Sequence, residues 1–432
     1  MTVPARLPAL VALLVLGLAL GATLALTTPW SPLPSGPQPG AAVDLHRDFT
    51  TAELARENAF HRAVRPPAYA AVLVGLAAGA LLALTAAGAR LVELVSRPAG
   101  GGWAVGAALG GLAVTVLVRL ATLPLDARTE AVLRRYGLST QDWGSWLLDQ
   151  LKGLALTGVV VVGGLLTFFA LARAFPQRWW LPVGVAAAAL TVAISFGYPL
   201  LVEPVFNKFT ALPAGPLRTS LLQLAATDHV RVDRVLVADA SRRTTALNAY
   251  VSGFGSTKRI VLYDTLLSSA SPAEVRLVVA HELGHAKRSD VLHGTLEGAL
   301  GAAAAAVLLF VVLAWTPLLR GAGATSVGDP RSLALVLFLL TLFGTLAGPV
   351  QTLVSRRIEA RADVHALDLT RDPATFVVSE RRLSLRNLSD LDPNPLVYGL
   401  FATHPTGPER IALARTWARR HGVPVPPAQV GG

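Results

Sequence analysis

The chain contains no cysteine, which excludes disulfides, thiolate metal ligands and a cysteine nucleophile. Charge is scarce as well: Asp, Glu, Lys and Arg supply only 15% of the 432 residues, against 53% hydrophobic. With a mean hydropathy of +0.52, that balance excludes an ordinary soluble globule and implies a membrane protein. Acidic residues are outnumbered by basic ones, 27 to 38, for a net charge of +11. The arginines are scattered between apolar runs and form no stripe with stacking aromatics, so nucleic acid is not the partner. Basic loops held on one side of a membrane account for them. No internal repeat is present.

Long apolar runs are what the sequence has in abundance. A hydrocarbon core about 30 Å thick needs roughly 20 helical residues. Seven runs reach that length: about Leu7 to Thr27, Ala68 to Gly88, Trp103 to Leu123, Gly153 to Phe175, Leu181 to Leu201, Gly294 to Leu319 and Ser332 to Val350. The first run lacks a strong basic start and a small-x-small cleavage site, so it reads as an uncleaved helix rather than a signal peptide. The paired tryptophans of "PQRWW", between runs four and five, suit a membrane interface.

Seven spans put the termini on opposite sides. Arg47, Arg56, Arg62 and Arg65 lie in the first loop, and Arg128, Arg134, Arg135 and Lys152 in the third, with many more after spans five and seven. The intervening segments carry only Arg6, then Arg90 and Arg97, then Arg173 and Arg178, then Arg320 and Arg331. The expected orientation is an outside N-terminus with both large polar segments cytoplasmic, in the plasma membrane if the source is bacterial. The chain divides into a five-helix membrane region (1–202), a polar segment (203–293), two further spans (294–350) and a second polar segment (351–432). "RVLVAD" and "KRIVLYDTLL" read as strands, and "NAYVSGFGSTKRIVLYD" as a hairpin around a Gly-Ser-rich turn. "PSGPQPG" reads as a flexible loop, and the Pro-rich "VPVPPAQVGG" tail as disordered. The fold class is mainly α: a polytopic membrane protein with an α+β domain built from two chain segments.

The first polar segment contains "VVAHELGHAKRSD", residues 278–290. Its helix has a clear start: Ser271 is a good N-cap, Pro272 fits the first helical position and Glu274 completes an S-x-x-E capping box. Residues four apart stand one above the other on a helix, so His281 and His285 can aim imidazole nitrogens at one point. Glu282 lies one position round, within reach of a water there. In zinc hydrolases with this spacing, the glutamate takes a proton from water that the metal has acidified. The bland reading, two histidines facing solvent, is weakened by the rarity of H-E-x-x-H in a chain with nine histidines.

A catalytic zinc needs a third protein ligand and keeps one position for water. Glu359 and Asp363, in "SRRIEARADVHA", are also four apart. One of them can bind metal while the other supports a ligand histidine; a solvated helix with Arg–Glu pairs fits the spacing equally well.

The stretches "LPLDARTEAVLRRYGLSTQDWGSWLLDQLKG", "PVFNKFTAL", "LNAYVSGFGSTKRIVLYDTLL", "HELGH", "SRRIEARAD" and "HPTGPERI" occur in this order between about Leu123 and His421. In them the chain resembles the integral-membrane zinc endopeptidases of the type 1 CAAX prenyl protease class, with the bacterial heat-shock protease X group as more distant relatives. The resemblance implies a gluzincin-like zinc domain, one Zn2+ per chain and helices enclosing a hydrated chamber. It makes Glu359 the third ligand and Asp363 the partner of a ligand histidine. It implies that Asn248, Ala249 and Tyr250, in the "NAY" edge segment, contact the substrate, and that His404 and Arg410, at H-P-x-x-x-x-R spacing, line the cleft. Edge pairing with an extended peptide and an imidazole donor at an oxyanion give those roles a chemical reason.

Partners are a peptide or protein substrate, lipid-modified or not, and membrane lipids. CAAX-type and membrane quality-control substrates both remain open, and the competing class is a transporter or scaffold with structural zinc. Of the other histidines, His46, His61, His229 and His421 read as surface or loop residues and His365 as a non-ligand. His293 and Glu297, at the start of span six, are expected to face a watery interior.

Overall fold

Runs of Ala, Leu, Val and Gly that are apolar on every side form long helices whose outer surface stays apolar. The computed structural model describes residues 6–33, 43–253 and 258–430. Helices α1 (Arg6–Thr27), α2 (Thr51–Leu84), α3 (Ala87–Ser96), α4 (Trp103–Arg135), α5 (Trp143–Ala174) and α6 (Trp180–Gly197) come first. A short π-helix, Tyr198–Val202, joins α6 to α7 (Glu203–Phe206). A mixed segment follows: β1 (Phe209–Ala211), α8 (Pro216–Thr227), β2 (Arg234–Ala238), β3 (Ala249–Ser252), β4 (Arg259–Tyr263), α9 (Asp264–Ser269) and α10 (Pro272–Arg288). Then come α11 (Asp290–Leu313), α12 (Thr316–Gly321), α13 (Leu333–Thr370), α14 (Pro373–Arg386), α15 (Pro395–Phe401) and α16 (Gly407–Arg420).

Seven helical stretches among the described residues are long and apolar enough to cross a membrane, including Trp180–Phe206 and Pro330–Thr370. Their limits differ from those expected. The second stops at Leu84, and Gly88 belongs to α3, where a Cβ would come within 2.7 Å of Ala334 Cβ; apolar composition runs through the bend and hides it. The sixth begins at Asp290 and ends at Leu313, before the Thr-Pro start of α12. The seventh does not stop near Val350: α13 runs unbroken for 38 residues through Pro349, so the 350/351 boundary falls inside one helix. Trp179, expected at an interface, is 2% exposed and packs edge-on against Phe168 and Phe310.

The sheet has the order β1-β2-β4-β3, with β2 and β4 parallel and the other pairs antiparallel. The expected hairpin is β3–β4, and its turn, 254–257, lies outside the described residues, as does "PSGPQPG". One core fills the space between the sheet and α8, α10, α14 and α16, around Ile260, Leu262, Leu283 and Trp417; a second lies among the long helices, around Phe169, Phe310 and Leu335. The tail is not disordered over 423–430: Arg415 donates to Pro426 O (3.0 Å) and Pro427 O (2.6 Å), and Gln429 N donates to Asp48 Oδ1 (3.2 Å). Buried Arg415 also grips both Asp48 oxygens at 2.6 Å. A buried arginine satisfied by carbonyls and a carboxylate orders a segment whose composition alone predicts none.

Candidate metal centre and active site

The capping box on α10 forms as its sequence dictates, with Ser271 N donating to Glu274 Oε2 (2.8 Å) and Glu274 N to Ser271 Oγ (3.4 Å). Gly284, in the middle of HELGH, lets α13 approach; a Cβ there would lie 3.1 Å from His365 Cβ. The approach brings Glu359 to the histidine pair. His281 Nε2 and His285 Nε2 are 3.2 Å apart, and Glu359 Oε2 is 3.2 Å from the first and Oε1 3.6 Å from the second. One ligand atom from each of the three lies within 4.8 Å of the others.

The other imidazole nitrogens explain why this triangle suits a cation. His281 Nδ1 donates to Asp363 Oδ1 (2.8 Å), and His285 Nδ1 to Asp290 Oδ2 (2.9 Å). A neutral imidazole has one N–H, so each Nε2 then turns a lone pair toward its neighbour and toward a carboxylate. Burial opposes charge on His281, yet Asp363 and Glu359 raise its pKa to about 10, so without a cation the ring keeps a proton on Nε2, which a metal ion would displace to free the lone pair. The same negative field favours a metal ion bound between these groups, and the donor set of two imidazoles and one carboxylate matches catalytic zinc.

Each supporting carboxylate is gripped by an arginine. Arg361 Nη2 bonds to Asp290 Oδ1, and Ser289, in the left-handed conformation (φ 57°), turns the chain so that Asp290 comes back to His285. Arg410 donates through Nε to Asp363 Oδ2 (2.8 Å), through Nη2 to Asp363 Oδ1, and through Nη1 to Glu380 Oε2 (2.7 Å). Its guanidinium is therefore engaged by carboxylates, behind His281. Burial pushes the pKa of Glu380 up to about 7 against the pull of Arg410. The sequence reading missed Asp290, Arg361 and Glu380. Asp290 was visible as the last residue of the quoted motif, whereas nothing local distinguishes Glu380.

Glu282 lines a cavity of 1190 Å³ together with both histidines, Glu359, Asn248 and His404. Burial raises its carboxyl pKa, partly offset by the two imidazoles and by the Val251 N–H bonded to it. His404 opens to the cavity with Nε2 3.3 Å from Glu359 Oε2 and Nδ1 2.9 Å from Thr403 Oγ1. The enclosing walls lower its pKa, which leaves a neutral imidazole at pH 7. β3 is an open edge. Because Tyr263 N donates to Asn248 O (3.0 Å), the main-chain groups of Asn248, Tyr250 and Ser252 turn to β4 and those of Ala249 and Val251 to the free side. Tyr250 packs its ring on the far face of the sheet with Leu236 and Val261 and donates its hydroxyl to Glu203 Oε2 (3.2 Å).

The remaining histidines lie away from the triangle. His365 Nε2 bonds to Asp228 Oδ2 (2.9 Å), and His421 stacks on Trp417. His61 is no loop residue: it sits half-buried on α2, with Nε2 donating to Leu388 O (3.0 Å), at the cavity wall. Glu297 accepts from Thr27 Oγ1 (3.0 Å), facing α1.

Residues 211–418 match the model of peptidase family M48, and residues 49–208 match that of the CAAX prenyl protease N-terminal region with its five membrane helices. The metalloprotease YhfN of Bacillus subtilis is 30% identical over 303 residues, covering 70% of this chain and 71% of that one. The chain belongs to peptidase family M48. CAAX prenyl protease 1 of Saccharomyces cerevisiae is 29% identical over 317 residues, 68% of this chain and 69% of its own. The crystal structure of Saccharomyces mikatae Ste24p shares the fold, with a TM-score of 0.74 at 21% identity over 96% of this chain and 99% of that one. This M48 protein is thus a multi-pass membrane zinc metalloendopeptidase of the CAAX prenyl protease family. A transporter or scaffold with structural zinc is not favoured. The family implies a metal, typically zinc, and a peptide or protein substrate.

Proposed function

We propose that His281, His285 and Glu359 hold one zinc ion and that Glu282 is the general base and acid of peptide-bond hydrolysis. The observation that carries this reading is the convergence of two Nε2 lone pairs and the Glu359 carboxylate, each Nδ1 being occupied by its own carboxylate. Bound zinc supplies Lewis acidity toward water and the scissile carbonyl. Glu282, made more basic by burial, takes a proton from the attacking water and returns it to the leaving nitrogen. Asp363 and Asp290 fix the tautomers of His281 and His285, and Arg410 holds Asp363. His404, neutral and open to the cavity, donates to the oxyanion. An extended peptide adds to β3 through the main chain of Ala249 and the carbonyl of Val251, whose N–H is held by Glu282, with the Asn248 side chain at the cavity wall.

The catalytic body combines residues 203–293 with 351–430 and faces the cytoplasm, with the N-terminus outside, in the plasma membrane of a bacterial source. Contacts between loops support that arrangement. Asp48 in the first loop meets Arg415, and Thr140 in the third donates to Arg243 O (3.1 Å), so the arginine-rich loops share one end of the bundle with the catalytic segments.

The substrate is either a CAAX-type chain end or a quality-control peptide. The purified full chain, offered one peptide in farnesylated and plain forms, decides between them. Preferential hydrolysis of the farnesylated form supports CAAX processing and equal hydrolysis supports quality control. Bound zinc with neither peptide cleaved overturns the proposed hydrolytic roles.

A further inference from the structure

The end of the bundle opposite the active site carries few arginines, Arg6, Arg90, Arg97, Arg173, Arg178, Arg320 and Arg331. Three of them, Arg97, Arg173 and Arg331, line a single cavity of 500 Å³. Its carboxylates are already taken. Asp329 is held by Arg331 Nη2 (2.6 Å), and Glu93 by Arg97 (2.9 Å) and Arg331 (3.4 Å). Arg173 is left over: among the described residues no carboxylate pairs with it, and its guanidinium lies 5.7 Å over the Trp103 ring with Nη1 3.5 Å from Gly328 O. Three guanidiniums against two carboxylates leave one positive charge in the cavity.

Two further features supply donors there. Ser96 is 6% exposed and lines the cavity, and among the described residues its hydroxyl has no hydrogen-bond partner. Open to the cavity, that hydroxyl is free to donate to a ligand or a water. The 33-residue helix α4 begins at the same wall, where its N-cap, Gly102, offers no side chain to its first amide groups. Uncapped amides at a helix start attract an oxyanion.

We infer that this cavity binds the phosphate oxyanion of a membrane phospholipid headgroup, with Arg173, the Ser96 hydroxyl and the first amides of α4 as its donors. The lipid source follows from position. The cavity opens where the ends of α3, α4 and α5 meet the segment leading into α13. Trp103 stands at its wall as aromatic rings do at membrane boundaries, so a headgroup bound here can keep its acyl chains in the bilayer. A free inorganic phosphate would satisfy the same donors without that anchorage in the bilayer.

Native mass spectrometry of the full-length protein, titrated separately with phosphatidylglycerol and with inorganic phosphate, tests the inference. One phosphatidylglycerol is retained by the wild type and by Arg178→Gln, a control from the same face outside the cavity. Arg173→Gln binds it about tenfold more weakly, the loss expected for one charge-assisted hydrogen bond. Peptide hydrolysis by Arg173→Gln stays at the wild-type rate, which shows that the variant is folded. Retention of inorganic phosphate alone, lost in Arg173→Gln, keeps the oxyanion site and overturns its lipid source. Equal lipid retention by wild type and Arg173→Gln, or none by either, overturns the site.

Discussion

His281 and His285 each use the Nδ1 hydrogen on a carboxylate, and each carboxylate is held in turn by an arginine. These chains fix which nitrogen faces the metal, so damage one bond away should appear in metal affinity. Asp363→Asn is expected to weaken zinc binding about 10–100-fold, read by competition with a chelating dye, and an unchanged affinity would separate Asp363 from His281. Glu282→Gln should keep zinc and lose at least about 100-fold in peptide hydrolysis, because an amide cannot accept the proton; comparable turnover removes Glu282 from its role. Glu380 sets a pH dependence. Its pKa is raised from 4.5 to about 7 by burial, so its contribution to stability is full below about 4.5 and lost as pH rises through about 7. Glu380→Gln should flatten the thermal midpoint between those values, and a parallel pH profile would contradict the shift.

At the scale of elements, close approach decides where the site forms. Gly284 lets α13 lie against α10, and Gly407 lets α16 lie against α14, where a Cβ would overlap Ser384 Oγ. Gly407→Ala should therefore destabilise the protein by about 1–3 kcal/mol through overpacking, and it should displace Arg410, three residues on, from Asp363. Thermal unfolding in detergent combined with zinc affinity tests both effects. A variant with wild-type stability would mean that Ser384 simply rotates away. The length of α13 matters for the same reason. One helix enters from the membrane region and ends beyond Glu359 and Asp363, so the third ligand rides on a spanning helix rather than on a flexible segment after it.

For the whole molecule, the absence of cysteine makes the proposed orientation directly testable, since one introduced thiol is the only label site. In intact cells, Ala99→Cys, exposed in the turn before α4 beside the lipid-binding cavity, should react with a membrane-impermeant maleimide. Arg420→Cys, at the end of α16, should react only after permeabilisation. The reverse pattern would put the catalytic segments outside. The two cores divide the molecule in a matching way, one under the sheet and one among the long helices, and α13 contributes to both.

Much of this was legible in the chain itself. Apolar runs long enough for a bilayer gave the number of spans, the capping box placed α10, and four-residue spacing put His281 above His285, because these properties depend only on local geometry. Bends and ends within apolar stretches, as at Leu84 and beyond Val350, were not legible, since composition does not change across them. The order of the tail, the burial of Trp179 and the Arg410–Glu380 contact join residues distant in sequence. The sequence by itself determined a set of membrane-spanning helices and, outside them, a capped helix carrying a histidine pair and a base. Only the tertiary structure decided which carboxylate closes the triangle and which ones orient the imidazoles, because that choice depends on how α13 and α16 pack against α10.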